Sequence, residues 1–273
     1  MTAAGARIAS LAMYALPELD AANDDLWSAL AARLIDQRLD GVPERLTRDR
    51  PLDEAWTDPN LLFGQTCGYP LMTALRGRVT LLATPRYTAQ GCEGPTHSSA
   101  VIVRRSAPAT CLADLNGGRC AINDYASNSG MNLLRHAIAP LAAGRAFFES
   151  VQVTGSHAAS ADAVTRGEAD VAAIDCVTWA HLQRFRAETT RHLRVLSWTA
   201  STPSLPLITS GATRPADIAA LRQAIEDVAR DPALRDVRAQ LLLDGFSTPP
   251  AEQYQTVLDL EAVAIRQNYP VLR

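Results

Sequence analysis

Residues 119–175 read RCAINDYASNSGMNLLRHAIAPLAAGRAFFESVQVTGSHAASADAVTRGEADVAAID, and their pattern decides the fold. Three short apolar runs, Arg119–Asn123, Ser150–Val153 and Val171–Asp175, are strand-sized. Two helical stretches, Gly130–Ala143 and Ser156–Arg166, separate them. Parallel neighbours cannot be joined by a tight turn, so strands alternating with helices are the signature of a mostly parallel sheet. The alternation continues outward in both directions. Towards the N-terminus the candidate strands are Arg7–Tyr14, Leu61–Gln65, Val79–Thr84 and Ser99–Arg104. Between the first two, Asp20–Asp36 places Leu26, Leu30, Ala31 and Leu34 on one face of a helix. Shorter helical stretches are expected at Asp53–Asp58 and Leu71–Arg76, and a turn of helix at Leu112–Leu115.

Towards the C-terminus, Leu193–Thr199 is a further strand, after which Pro203 and Pro206 interrupt regular structure and mark a return crossing. Helices are expected at Pro215–Arg230, Pro232–Leu243 and Glu252–Asn268. The expectation is an α/β chain of two lobes, each a mixed, mostly parallel sheet flanked by helices. Residues 1–102 with 206–273 form one lobe and residues 103–205 the other.

Composition excludes several function classes. A chain of 273 residues, 47% hydrophobic, 20% charged and with net charge −3, is an ordinary globular protein without the basic excess that attracts nucleic acid. All 26 basic residues are arginine, so Schiff-base chemistry and phosphate-loop lysines are excluded. No apolar stretch reaches the roughly 20 residues of a membrane span, so an integral membrane protein is not expected. Met1–Tyr14 lacks the pattern of an export leader, which implies the cytoplasm if Met1 is the native start. The five cysteines, Cys67, Cys92, Cys111, Cys120 and Cys176, include no C-x-x-C and no zinc-type spacing with histidine, so no metal and no cofactor are expected. Cys67 and Cys92 are a candidate disulfide pair.

Small polar residues cluster where strands end and helices begin, the edge at which open α/β sheets bind ligands. In Asn123–Asn132 the helix start offers Ser127, Ser129, the flexible Gly130 and then Met131, with free backbone N–H groups suited to an oxyanion. Thr154-Gly155-Ser156-His157 repeats the device, with Ser160 one turn further on. Both segments equally suit ordinary helix caps. Asp175 ends an apolar strand, either to meet a ligand amine or hydroxyl or to cap the next helix. In the first lobe Gln65, Thr66 and Tyr69 offer donors after the strand Leu61–Gln65, and Trp56 offers a stacking face.

Ser127–Gly130, Thr154–His157 with Ser160, the Gly167-Glu168-Ala169-Asp170 run leading to Asp175, and Pro203–Pro206 together resemble the phosphonate/phosphite type of ABC-transporter substrate-binding protein. The resemblance extends over nearly the whole chain. It implies a type II periplasmic-binding-protein-like fold, a small anionic or zwitterionic solute captured between lobes that close by a hinge, and an ABC permease as partner if the protein is exported. It also implies a periplasmic location and oxyanion contacts from Ser127, Ser129, Gly130, Ser156 and His157. The alternatives are a cytoplasmic enzyme on the same fold, of the menaquinone-biosynthesis kind, or a ligand sensor. Against an enzyme, no nucleophile elbow or obvious acid/base couple is visible in the sequence.

Overall fold

The computed structural model describes residues 6–248 and 250–273; the reading of Met1–Gly5 as part of a leaderless terminus lies outside the described residues. The strands are β1 (Ile8–Ser10), β2 (Leu61–Gln65), β3 (Val79–Tyr87), β4 (Ser99–Arg104), β5 (Arg119–Ile122), β6 (Ser150–Val153), β7 (Val171–Asp175), β8 (Leu193–Trp198), β9 (Leu207–Ser210) and β10 (Leu243–Ser247). The principal helices are α1 (Asp20–Asp36), α2 (Leu133–Ala142), α3 (His157–Arg166), α4 (Cys176–Phe185), α5 (Pro215–Arg230) and α6 (Gln255–Arg266). The chain divides into two compact units, one running to Thr88 and resuming over Pro203–Ala251, the other comprising Ala89–Thr202 and Glu252–Arg273.

The first unit carries a mixed sheet in the order β1-β2-β9-β3-β10. β1 and β2 are parallel, and β9 runs antiparallel to both β2 and β3. Helix α1 buries Leu26, Trp27, Leu30, Ala31 and Leu34, the stripe that its periodicity predicts. Trp27 packs on Phe63 of β2 with ring centroids 5.7 Å apart.

In the second unit the order is β8-β4-β7-β5-β6. β6, β5 and β7 are mutually parallel, while β4 is antiparallel to β7 and β8 antiparallel to β4. The carboxyl ends of β5, β6 and β7 and the amino end of β4 therefore share one edge. All five residues of β7 are buried, which explains the uninterrupted apolar run before Asp175.

Two boundaries differ from the expectation. Strand β4 lies inside the second unit, paired with β7 on one side and β8 on the other, so the crossing precedes it. The C-terminal helix also joins the second unit. Ala264, Tyr269 and Leu272 enter the same core as Val101, Ile122, Leu134 and Val171, and Asn132 and Arg135 bond to Val257, Glu261 and Pro270.

At the opposite edge of this sheet, Asp170 receives both side-chain and main-chain N–H groups of Arg119 and the guanidinium of Arg104, at 2.9–3.1 Å. The Arg119 hydrogen bonds are the main reason that its carboxyl is held down to about 2, against the opposing effect of burial. A carboxylate depressed on folding adds stability above the unfolded value, near pH 4, and loses it as pH falls through the folded value, near 2. Asp170→Asn is therefore expected to cost about 1–2 kcal/mol at neutral pH, reduced for the side chain's partial exposure. Urea titrations of parent and variant should converge as the pH is lowered from about 4 to about 2; a pH-independent difference would rule out the ionised carboxylate as its source.

Candidate functional site

The chain leaves β5 at Ile122 and enters a single π turn, Asn128–Asn132, that runs directly into α2. Such turns are uncommon and recur at functional sites. Ser127 is its cap: Oγ accepts the Gly130 N–H at 2.9 Å. A hydroxyl that accepts with one lone pair keeps its own O–H free to donate. At position 130 a side chain does not fit, since its Cβ would stand 1.8 Å from Asn123 Oδ1 and 3.1 Å from His157 Cε1.

The next strand end is tied to the first. Thr154 N and Gly155 N donate to the carbonyls of Ile122 and Asn123, at 2.9 and 3.1 Å. Ser156 then caps α3, with Oγ accepting the Ala159 N–H at 3.1 Å, so it too retains a free O–H. Across the two helix starts, Ser129 Oγ and His157 Nε2 lie 3.0 Å apart. The amino end of β4 adds a further brace, Ser99 Oγ donating to the Ser129 carbonyl at 2.9 Å. Ser127 and Ser129 are buried, His157 is partly buried and Ser156 is exposed.

Burial lowers the His157 pKa, against the opposing pull of Asp175 and the Ala173 carbonyl, so the imidazole is neutral at physiological pH. Ser129 with His157 has the spacing of a serine–histidine couple. A hydrolytic triad also needs a group that orients the imidazole, yet His157 Nδ1 has no well-aligned hydrogen bond among the described residues. The nearby carboxylate, Asp175, is engaged elsewhere.

Asp175 caps α4, its Oδ1 accepting the N–H groups of Val177 and Thr178 at 2.9 and 3.2 Å. Its Oδ2 faces His97 Nδ1 at 2.8 Å, and both side chains are 1% exposed. The cap read for Asp175 is present and uses Oδ1. Cys176, the first residue of α4, touches Cys92 with sulfurs 3.3 Å apart. That contact, with burial, raises the Cys176 thiol pKa, which makes it a poor nucleophile. The partner of Cys92 is therefore Cys176 of its own unit, not Cys67, which belongs to the other unit.

Two other candidates turn inward. Met131 is packed in the core of the second unit, and Ser160 is fully buried with Oγ 2.7 Å from Thr154 Oγ1. In the first unit, Gln65 is held by Tyr87 Oη at 3.0 Å and the Leu205 carbonyl at 3.1 Å. Trp56 donates its indole N–H to the Gln65 carbonyl at 2.9 Å. Thr66 is fully buried, and its Oγ1 has no hydrogen-bond partner among the described residues. Tyr69 is partly buried on the short helix Gly68–Met72.

Sequence reasoning passed over Asn128 and Asn132. Asn128 Nδ2 donates to Thr202 Oγ1 at 2.9 Å, and Asn132 Nδ2 to Asn128 Oδ1 at 3.0 Å. These amides lock the π turn from beneath. The signal available was their i, i+4 spacing on a helix start.

No curated protein matches the chain by sequence. Among solved structures, a binding-protein component of an ABC phosphonate transporter from Pseudomonas aeruginosa is 18% identical over 96% of this chain and 87% of its own, with a TM-score of 0.77. PhnD1 from Prochlorococcus marinus, solved in complex with methylphosphonate, is 14% identical over 94% and 96%, with a TM-score of 0.75. XAC2383 from Xanthomonas citri, solved bound to ATP, is 19% identical over 95% and 96%, with a TM-score of 0.68. At these identities the likeness is one of fold, the type II periplasmic-binding-protein fold. No helix among the described residues is long and apolar enough to cross a membrane. The family profile described as "ABC transporter, phosphonate, periplasmic substrate-binding protein" matches residues 60–254, and the chain belongs to that family of solute-binding proteins.

Proposed function

We propose that this protein captures a small phosphonate-like oxyanion at the paired helix starts of its second unit and hands it to an ABC permease on the periplasmic side of the membrane. The observation that carries the reading is the pair of caps joined by the Ser129–His157 contact at 3.0 Å. Two cap hydroxyls with free protons, the leading N–H groups of two helices and a neutral imidazole form a donor set without a fixed cation. It offers a tetrahedral oxyanion several hydrogen bonds, with the helix dipoles supplying the positive potential. The methylphosphonate bound by PhnD1 supports this choice of solute. Among the described residues no carboxylate is hydrogen-bonded to the His157 imidazole, and this supports a reading by binding over one by turnover.

Isothermal calorimetry with methylphosphonate, phosphate, methanesulfonate, acetate and ATP tests the reading. Methylphosphonate is expected to bind at one site per chain and to raise the melting temperature with concentration, as any ligand of the native state must. Phosphorus NMR should show the bound phosphonate unchanged after prolonged incubation. Absence of heat and of thermal shift with every oxyanion at millimolar concentration would overturn the proposal.

A further inference from the structure

Beside the cap of α4, four side chains of the second unit converge. His97 Nδ1 and Asp175 Oδ2 are 2.8 Å apart, both buried, yet neither atom makes a well-aligned hydrogen bond among the described residues. The two atoms face each other as a buried ion pair, and a cation taking both would replace that poorly aligned contact with two directed bonds. Cys176 Sγ completes a group of three donor atoms that all lie within 4.8 Å of one another. Cys92 Sγ lies 3.3 Å from Cys176 Sγ.

We infer that Cys92, His97, Asp175 and Cys176 form a binding site for a divalent transition ion of the zinc type. Bonds of roughly 2.0–2.3 Å in a tetrahedron place ligand atoms roughly 3.3–3.8 Å apart; the His97, Asp175 and Cys176 donors already lie within 4.8 Å of one another, and Cys92, 3.3 Å from Cys176, must move in to complete the set. Two sulfurs, one imidazole and one carboxylate are the donor mixture that zinc and cobalt take. The supporting shell is present. Val177 N and Thr178 N fix Asp175 through Oδ1 and leave Oδ2 free to ligate. A hairpin between Cys92–Glu93 and Thr96–His97 brings the first two ligands onto adjacent positions, Cys92 being paired directly with His97. Gly91 is required beside them, since its Cβ would strike Trp198 at 2.6 Å and approach Cys176 to 3.0 Å. A Cys92–Cys176 disulfide would satisfy the sulfurs alone and leave the buried His97–Asp175 ion pair as it stands.

The site uses none of the serines proposed for the solute, so it stands or falls independently of phosphonate binding. Full-length protein is purified with reductant and chelator, exchanged into chelator-free buffer and titrated with Co²⁺. One equivalent is expected to bind, with thiolate-to-cobalt charge transfer in the near ultraviolet and the visible bands of a tetrahedral ion, and Zn²⁺ should displace it. Cys176→Ser and Cys92→Ser should each lose charge-transfer intensity, whereas Cys111→Ser should retain it. Cys92 is only partly buried, so its variant keeps the test open if Cys176→Ser fails to fold. A fully reduced protein without charge transfer, an undiminished spectrum in both serine variants, or protein isolated with a Cys92–Cys176 disulfide and no metal would overturn the assignment.

Discussion

Ser127→Ala is expected to weaken methylphosphonate binding by roughly ten- to a hundredfold, the effect of losing one hydrogen bond of about 1.5–3 kcal/mol to a charged ligand. The hydroxyl has two separable duties. Its oxygen accepts the Gly130 N–H at 2.9 Å and so caps the π turn and α2; its proton is free for the solute. Replacing a serine cap by alanine costs about 1 kcal/mol of stability, whereas glycine costs only a few tenths. Ser127→Gly should therefore bind as poorly as Ser127→Ala while melting close to the parent. Affinity would then follow the hydroxyl, and stability would follow the cap. Ser129→Ala should produce a comparable loss, because it removes a donor and also frees His157 from its 3.0 Å partner. Parental affinity in Ser127→Gly would show that this serine only terminates a helix, and the solute would have to be sought elsewhere.

The elements legible in the sequence are those whose local pattern and tertiary role agree. β2, β4, β6, β7 and α5 fall on the residues expected for them. Each strand there is a short apolar run between turn residues, and α5 opens with proline at its first position. Where the apolar run of a helix flows into a strand, periodicity fails. Pro232–Leu243 reads as one helix, but the chain turns at Leu241–Leu242 and Leu243–Ser247 pairs antiparallel with β3. β9 was hidden for a different reason: it follows directly on Pro206, and its four buried residues have no alternation to announce a strand. The assignment of α6 to the second unit depends on contacts with residues more than 120 positions away.

In the site, cap chemistry was legible because Ser, Asn and Asp before a helix carry a local signal. Convergence was not. Nothing in the spacing of Cys92 and His97 marks them as neighbours of Asp175 and Cys176, because β4 and β7 are brought together only by sheet pairing, Ser99 opposite Asp175. Likewise Ser156 stands next to His157 in sequence, while the contact runs from His157 to Ser129, 28 positions earlier.

Arg135→Ala should have the largest effect on stability, a loss of about 3–5 kcal/mol. Arg135 lies on α2 with its side chain 5% exposed, paired to Glu261 of α6 at 3.0 Å. Its guanidinium also donates to Asn132 Oδ1 and to the Pro270 carbonyl, each at 2.7 Å. Removing it orphans acceptors on three segments at once. Glu261→Ala should cost less, because Glu261 is 23% exposed and Arg135 would keep its other two partners. A double-mutant cycle between the positions would isolate the ion pair from the remaining hydrogen bonds. The consequences extend to the solute site, since Asn132 Nδ2 also holds Asn128 of the π turn at 3.0 Å. Hydrogen exchange read by mass spectrometry should show faster exchange over 255–273 and over 127–135 in Arg135→Ala, with phosphonate affinity reduced although no residue proposed to touch the solute has changed. If exchange rose in the C-terminal segment alone and affinity held, α6 would clamp the fold without bearing on the site. A stability loss below about 1 kcal/mol, the scale of a single neutral hydrogen bond, would mean that the network adds little beyond its apolar surroundings.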